Sequence, residues 1–328
     1  VTAQQDAGGA KHRRTWWQAA SVAVICVAYI AVLWWIDRKN GAFSRLLEHG
    51  GLLLITLPLV LASYAIRYAR WSWLLRQRGH AVPAWRGLLA YLAGFALTAT
   101  PGKAGELLRI RYFERMGVPP SRTMAVFVFE RACDLLVILA LSLLAASVFP
   151  TIGALCLIVL VFVGMLFGLA AWAGSVRYLE LGFKRFHGGL LGRAVRFLIA
   201  LIGELRICLQ WRSMAVGLLS GGLAWSLTSL VFVGICSAMG VQVSLVVLFG
   251  IYPLAMLVGA LSFVPGGVGT TELAIVLMLG RLGIATPEAL AVAIGVRLVT
   301  LWFAIALGAL SLLVLESGSQ RDKPERVV

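Results

Sequence analysis

The chain has 328 residues, 60% of them hydrophobic and only 13% charged, with a net charge of +15 and a mean hydropathy of +0.92. Soluble globular chains run at about 45–50% apolar and about 25% charged, so a soluble enzyme, a nucleic-acid-binding module and a secreted disulfide scaffold are excluded. The apolar residues are gathered in stretches long enough to cross about 30 Å of hydrocarbon as helices.

In chain order, six long apolar segments are expected as full spans, at about 16–36, 50–75, 122–148, 152–174, 215–239 and 287–315. The first is too long for a cleavable signal peptide, and no small-residue cleavage site follows it. Residues 87–100 are apolar but too few to cross. Residues 245–263 are long enough, yet Pro253 interrupts them. Each of these two pieces runs into a Pro-Gly turn and then a short helix-like stretch, 104–116 or 270–282. Two re-entrant helical hairpins are the economical reading, because broken backbone is tolerated at membrane depth only inside protein or along a cavity.

With the N-terminus in the cytoplasm, 21 of the 29 Lys and Arg residues fall in cytoplasmic loops, four in outer loops and four (Arg67, Arg70, Arg131, Arg297) in spans. This asymmetry obeys the positive-inside rule. It assigns most of the charge to orientation and to contact with an anionic inner leaflet rather than to nucleic acid. Both termini are expected in the cytoplasm, in a bacterial or archaeal cytoplasmic (inner) membrane. The cysteines Cys26, Cys133, Cys156, Cys208 and Cys236 form no CxxC pair and read as small core residues. No zinc pattern, Walker A loop or dinucleotide fingerprint is present, so no cofactor is expected.

The chain is also similar to itself. TPGKAGELLR at 100–109 resembles VPGGVGTTELAI at 264–275, and Glu106 and Glu272 lie 166 residues apart. At that offset Arg115 falls on Arg281, Gly117 on Gly283 and Arg131 on Arg297. The first unit starts outside and the second inside, so the repeat is inverted, an architecture of secondary transporters. The expected fold is an all-α polytopic membrane protein with six full spans plus two re-entrant helical hairpins in an inverted repeat. Residues 1–49 form the tail, first span and outer loop, and 50–148 the first repeat. Residues 149–214 form a connecting span and a basic cytoplasmic amphipathic loop, 215–315 the inverted second repeat, and 316–328 the cytoplasmic tail.

At each hairpin tip a Pro-Gly turn opens a helix whose free N–H groups attract anions, phosphate above all. The expected substrate-binding residues are Gly102, Lys103 and Gly105 at the first tip and Gly266, Gly267 and Gly269 at the second, with Arg131 and Arg297. An isolated arginine at mid-membrane costs at least about 2.5–3.5 kcal/mol. The pairs Glu106–Arg131 and Glu272–Arg297 are therefore expected, with Glu130 and Asp134 competing for Arg131. Glu106, Glu272, Glu130 and Asp134 are candidates for proton coupling or gating. Glu106 and Glu272 also fit as carboxylates that merely cap helix starts, and the ion pairs as devices that fix helix register. Arg67 and Arg70, among Tyr64, Tyr68, Trp71 and Trp73, read as snorkelling toward an aromatic belt. Arg109 and Arg111 read as a solvated cytoplasmic face, and the loop 176–212 as an amphipathic helix on the inner leaflet.

TPGKAGELLR, GVPPSRTMAVFVFERACDLL (117–136), FVPGGVGTTELA (263–274) and GVRL (295–298) resemble the lysylphosphatidylglycerol synthase transmembrane-region family. That family includes the flippase half of the multiple peptide resistance factor and stand-alone relatives. The resemblance covers 50–315 and implies a polytopic lipid translocase with two re-entrant helices. The aminoacyltransferase domain of fused members is not expected here, so the reading is a translocase and not an enzyme. The substrate would be an anionic phospholipid or an isoprenoid-linked (polyprenyl) phosphate lipid. Two other readings stay open: an intramembrane lipid-phosphate transferase using Glu130, Asp134 and Glu106, and a scaffold for a separate lipid-modifying enzyme. Membrane lipids are the expected partners, with a homo-oligomer left open and nucleic acid excluded.

Overall fold

A computed structural model describes residues 41, 44, 46, 48, 50–98, 104–149, 152–172 and 189–321, with backbone alone for residues 52, 104–107, 189–191 and 318–321. Among the described residues every regular element is helical. In chain order these are α1 (Gly50–Arg76), α2 (Ala84–Ala93, tightening into the 3-10 turn Gly94–Leu97), α3 (Ala104–Arg115) and α4 (Pro120–Ser142). There follow α5 (Ile152–Ala171), α6 (Gly189–Cys208), α7 (Trp211–Ala238), α8 (Leu245–Leu261) and α9 (Thr270–Arg281). Last come α10 (Thr286–Arg297) and α11 (Phe303–Arg321), joined by a π-helical turn over Leu298–Trp302.

Four stretches are long and apolar enough to cross a membrane: Leu53–Arg76, Ile152–Ala171, Trp211–Ala238 and Thr286–Ser317. They coincide with four of the six expected spans. The expected span at 16–36 lies outside the described residues. The remaining one is α4, whose 23 residues suffice in length but include Arg122, Glu130, Arg131 and Asp134. On α5, Leu157, Ile158, Leu160, Val161, Phe162 and Met165 are exposed, a hydrocarbon surface suited to lipid rather than water.

Local chemistry places the helix ends. Gly117 and Gly283, 166 residues apart, adopt φ of 84° and 82° after α3 and α9. The next N–H turns back onto the helix, from Val118 to the Phe113 carbonyl (3.0 Å) and from Ile284 to the Leu279 carbonyl (3.1 Å). This left-handed cap is cheap only for glycine. A proline then opens the following helix on both occasions, Pro120 in α4 and Pro287 in α10, where its missing N–H has no intrahelical partner to lose. The 166-residue shift carries the bounds of α3 onto those of α9, and the start of α4 onto that of α10.

The packing is reciprocal. Helix α1 packs on its counterpart α7, α2 packs on α11, and α8 packs on α4. Arg70 of α1 donates to the Gly217 carbonyl, whereas Arg67, one turn earlier, stacks on Trp225, two turns later, so α1 and α7 run antiparallel. Bare glycines permit the two cross-contacts. A Cβ at Gly308 of α11 would stand 2.4 Å from the Ala96 nitrogen, and one at Gly250 of α8 would stand 2.7 Å from the Ala145 nitrogen.

Helix α6 corrects one expectation. The described part of the basic segment, Gly189–Cys208, forms an amphipathic helix, but its apolar face, with Ile202 and Leu205 buried, is packed on α4 rather than left for lipid alone. Glu204 fastens it, accepting from Arg122 Nη2 at 2.7 Å and Arg78 Nη1 at 2.8 Å. Burial pushes the Glu204 carboxyl up, but Arg122 and Arg78 outweigh it and hold the group below the ordinary 4.5. A depressed folded-state value means the stabilisation is present above the ordinary value and lost as pH falls below it. Glu204→Gln is expected to weaken this docking by about 1 kcal/mol. Faster amide exchange over 189–208 at pH 7, matched by wild type at acidic pH, is the signature; unchanged exchange would refute it.

Candidate functional site

The interior of the bundle is polar where α1, α2, α4 and α7 meet. Arg67 and Arg70, three residues apart on α1, point at Glu130 and Asp134, four apart on α4, so both pairs lie on facing helix stripes. Arg67 Nη1 donates to Asp134 Oδ2 at 2.7 Å, and Arg70 Nη1 donates to Asp134 Oδ1 at 2.9 Å. Arg70 Nη2 donates to Glu130 Oε1 at 2.7 Å, and the Tyr91 hydroxyl donates to the same oxygen at 3.1 Å. The side chains of Arg70 and Glu130 are entirely buried. The expectation that Arg67 and Arg70 snorkel to an aromatic belt is therefore wrong. Two carboxylates await them inside, and an internal partner costs less than carrying a guanidinium to the interface.

Arg131 belongs to the same cluster, with Nη2 at 3.2 Å from Asp134 and 3.4 Å from Glu130. Its side chain is 35% exposed, so it forms the open edge of an otherwise closed network. Of the expected competitors, Glu130 and Asp134 hold it. The side chain of Glu106, its expected partner, lies outside the described residues, as do Gly102 and Lys103; Gly105 and Glu106 are placed only as backbone in the first turn of α3.

In the second unit the expected pair is present. Arg297 Nε donates to Glu272 Oε1 at 2.9 Å, with Arg297 1% exposed. Its Nη2 donates to the Gly266 carbonyl at 2.6 Å, pinning the turn between α8 and α9. Gly266, Gly267 and Gly269 all take positive φ there. The Ser262 hydroxyl bonds that of Thr270 at 3.0 Å, and Thr270 Oγ1 donates to the Gly267 carbonyl at 3.1 Å. Arg297 is thus committed to holding the tip. Between the two charged sets lie neutral groups. The Tyr64 hydroxyl donates to the Thr300 carbonyl at 2.8 Å, and the Tyr252 hydroxyl donates to Thr300 Oγ1 at 3.2 Å, within the π-helical turn. Such turns often mark functional sites.

Arg109 also departs from expectation. It is 4% exposed, with Nε donating to the Tyr91 carbonyl at 2.9 Å, instead of lining a solvated mouth. Sequence reasoning thus missed Arg67, Arg70, Tyr91 and Arg109 as members of the site. The matching helical spacings of 67/70 and 130/134 are the signal that was there to find. Among the described residues no group of three metal-ligating side chains occurs.

The chain is 25% identical over 320 residues to a UPF0104 membrane protein of Methanothermobacter thermautotrophicus, covering 91% of this chain and 92% of that one. Residues 17–308 match the profile of the lysylphosphatidylglycerol synthase TM region. Together with its apolar helices, these matches make it a multi-pass member of the lysylphosphatidylglycerol synthase TM region family.

Proposed function

We propose that this protein is a lipid translocase of the cytoplasmic membrane, a flippase-like secondary transporter for an anionic phospholipid or an isoprenoid-linked phosphate lipid. Family membership points to a membrane- and lipid-related role. The observation that carries the finer reading is the reciprocal, antiparallel packing of two similar units, each with buried arginine–carboxylate contacts. Six spans, two re-entrant hairpins (α2–α3 and α8–α9) and cytoplasmic termini complete the proposed architecture.

In this reading the phosphate is received at the N-termini of α3 and α9, by Gly102, Lys103 and Gly105 and by Gly266, Gly267 and Gly269. Arg131, at the open edge of its cluster, is the guanidinium placed to exchange a carboxylate for a headgroup. Arg297 acts by positioning the second tip. Glu106, Glu272, Glu130 and Asp134 supply coupling or gating, and the two units rock about the α1–α7 contact to give alternating access. No enzymatic role is assigned, because Glu130 and Asp134 are taken up by guanidinium groups. Homo-oligomers and a separate lipid-modifying enzyme remain the candidate protein partners.

In liposomes containing a fluorescent anionic phospholipid, Arg131→Ala and Glu106→Gln are each expected to slow translocation at least about tenfold, a loss of about 1.4 kcal/mol in the barrier. Wild-type rates from both variants would end this reading.

A further inference from the structure

In the charged cluster Glu130 and Asp134 pair with Arg67, Arg70 and Arg131, and of their carboxylate oxygens only Glu130 Oε2 is left without a hydrogen bond. Arg109, buried beside them, forms no ion pair with a carboxylate among the described residues. Its guanidinium carbon lies 4.0 Å from the ring centre of Tyr91, 5.1 Å from that of Phe95 and 5.5 Å from that of Trp71. Among the described residues its one hydrogen bond is from Nε to the Tyr91 carbonyl, which leaves the Nη1/Nη2 fork to other partners. One of those rings carries a buried donor without an acceptor: Trp71 is wholly buried and its Nε1–H has no partner among the described residues. Buried N–H groups without acceptors are rare in folded proteins, and each calls for an explanation.

The seat for Arg109 is built by an absence. A Cβ at Gly94 would stand 2.4 Å from Arg109 Nε and 2.8 Å from its Cγ, so only glycine at this position of the 3-10 turn leaves the slot open. Aromatic faces hold the guanidinium plane, and its fork is left to a partner with two acceptor oxygens and no donors. An oxyanion meets that requirement, and phosphate matches the fork bidentately.

We propose that the guanidinium fork of Arg109, seated in the slot opened by Gly94, and the Trp71 indole N–H form a phosphate-binding site, separate from the hairpin-tip amides. Taking a lipid headgroup as the source of the phosphate rests on the translocase reading; the site itself does not.

The test is binding by the purified full chain, followed by native mass spectrometry and thermal shift. The probes are dioleoylphosphatidylglycerol, dioleoylglycerol (which lacks the phosphate) and inorganic phosphate. Wild type is expected to retain phosphatidylglycerol in preference to dioleoylglycerol. Arg109→Gln should weaken that binding at least tenfold, and Trp71→Phe, which keeps a ring but deletes the N–H, severalfold. Displacement of the lipid by inorganic phosphate at equal concentration would support the site and assign it to a soluble anion. Wild-type lipid binding by both variants would overturn the site and leave Arg109 as packing alone. Intact, Arg109-dependent binding in a protein that moves no labelled lipid would uphold the site while removing the translocase reading.

Discussion

Asp134→Ala protein is expected to lose about 3–5 kcal/mol of stability, the cost of breaking a buried ion pair from one side. Asp134 accepts from Arg67 at 2.7 Å and Arg70 at 2.9 Å and faces Arg131 at 3.2 Å, so its removal unbalances three guanidiniums at once. Glu130 can offset only part of the surplus: its Oε1 already accepts from Arg70 and Tyr91, and Oε2, 3.4 Å from Arg131, is the one oxygen left. The penalty comes from the charge left behind more than from the lost attraction. Replacing Arg67 as well, in Asp134→Leu/Arg67→Met, should therefore recover part of the loss. Thermal melting in detergent of the single and double variants measures both numbers. A double variant no more stable than the single one would refute the charge-balance account.

Gly308→Ala should be nearly as damaging, at about 2–3 kcal/mol, the upper part of the range for overpacking. The added Cβ would lie 2.4 Å from the Ala96 nitrogen, 2.8 Å from the Leu92 oxygen and 2.9 Å from the Phe95 carbonyl carbon. All three are backbone atoms, so no rotamer change relieves the clash and α11 must withdraw from α2. Gly222→Ala on α7 is the control. A Cβ added there would meet nothing within 4 Å, and alanine is the better helix former by up to about 1 kcal/mol. Opposite shifts in melting temperature are expected, and a Gly308→Ala protein as stable as Gly222→Ala would contradict the tight crossing.

Most of the helix order was legible in the chain because hydropathy and Pro-Gly punctuation act locally. The Glu272–Arg297 pair was legible because its members recur at mirrored positions. What lay opposite α1 was not. Periodicity puts Arg67 and Arg70 on one face of a helix without naming what faces them, and the surrounding Tyr64, Tyr68, Trp71 and Trp73 imitate an interfacial belt. Arg109 misled for a related reason: an arginine in a short basic helix reads as solvated, and its burial depends on Gly94, fifteen residues away in sequence. The repeat itself misled at Arg131. Glu130 and Asp134 have no counterparts at Val296 and Thr300, so equivalent arginines meet different surroundings. For α6, amphipathicity demands an apolar partner but cannot say whether that partner is lipid or α4; Glu204 was the residue to notice.

The arrangement of these bonds has a consequence for biogenesis. Among the described residues, three buried arginines have a counter-ion within their own half of the chain: Arg67 with Asp134, Arg70 with Glu130, and Arg297 with Glu272. Two bonds that join the halves inside the bundle end on neutral acceptors, the carbonyls of Gly217 and Thr300, while Tyr112 of α3 donates to the Glu316 carboxylate near the end of α11. Because synthesis proceeds from the N-terminus, the arginines of α1 can be neutralised once α4 has emerged, before any of α7–α11 exists. The nascent first half therefore need not hold a bare guanidinium in hydrocarbon while it waits for the second.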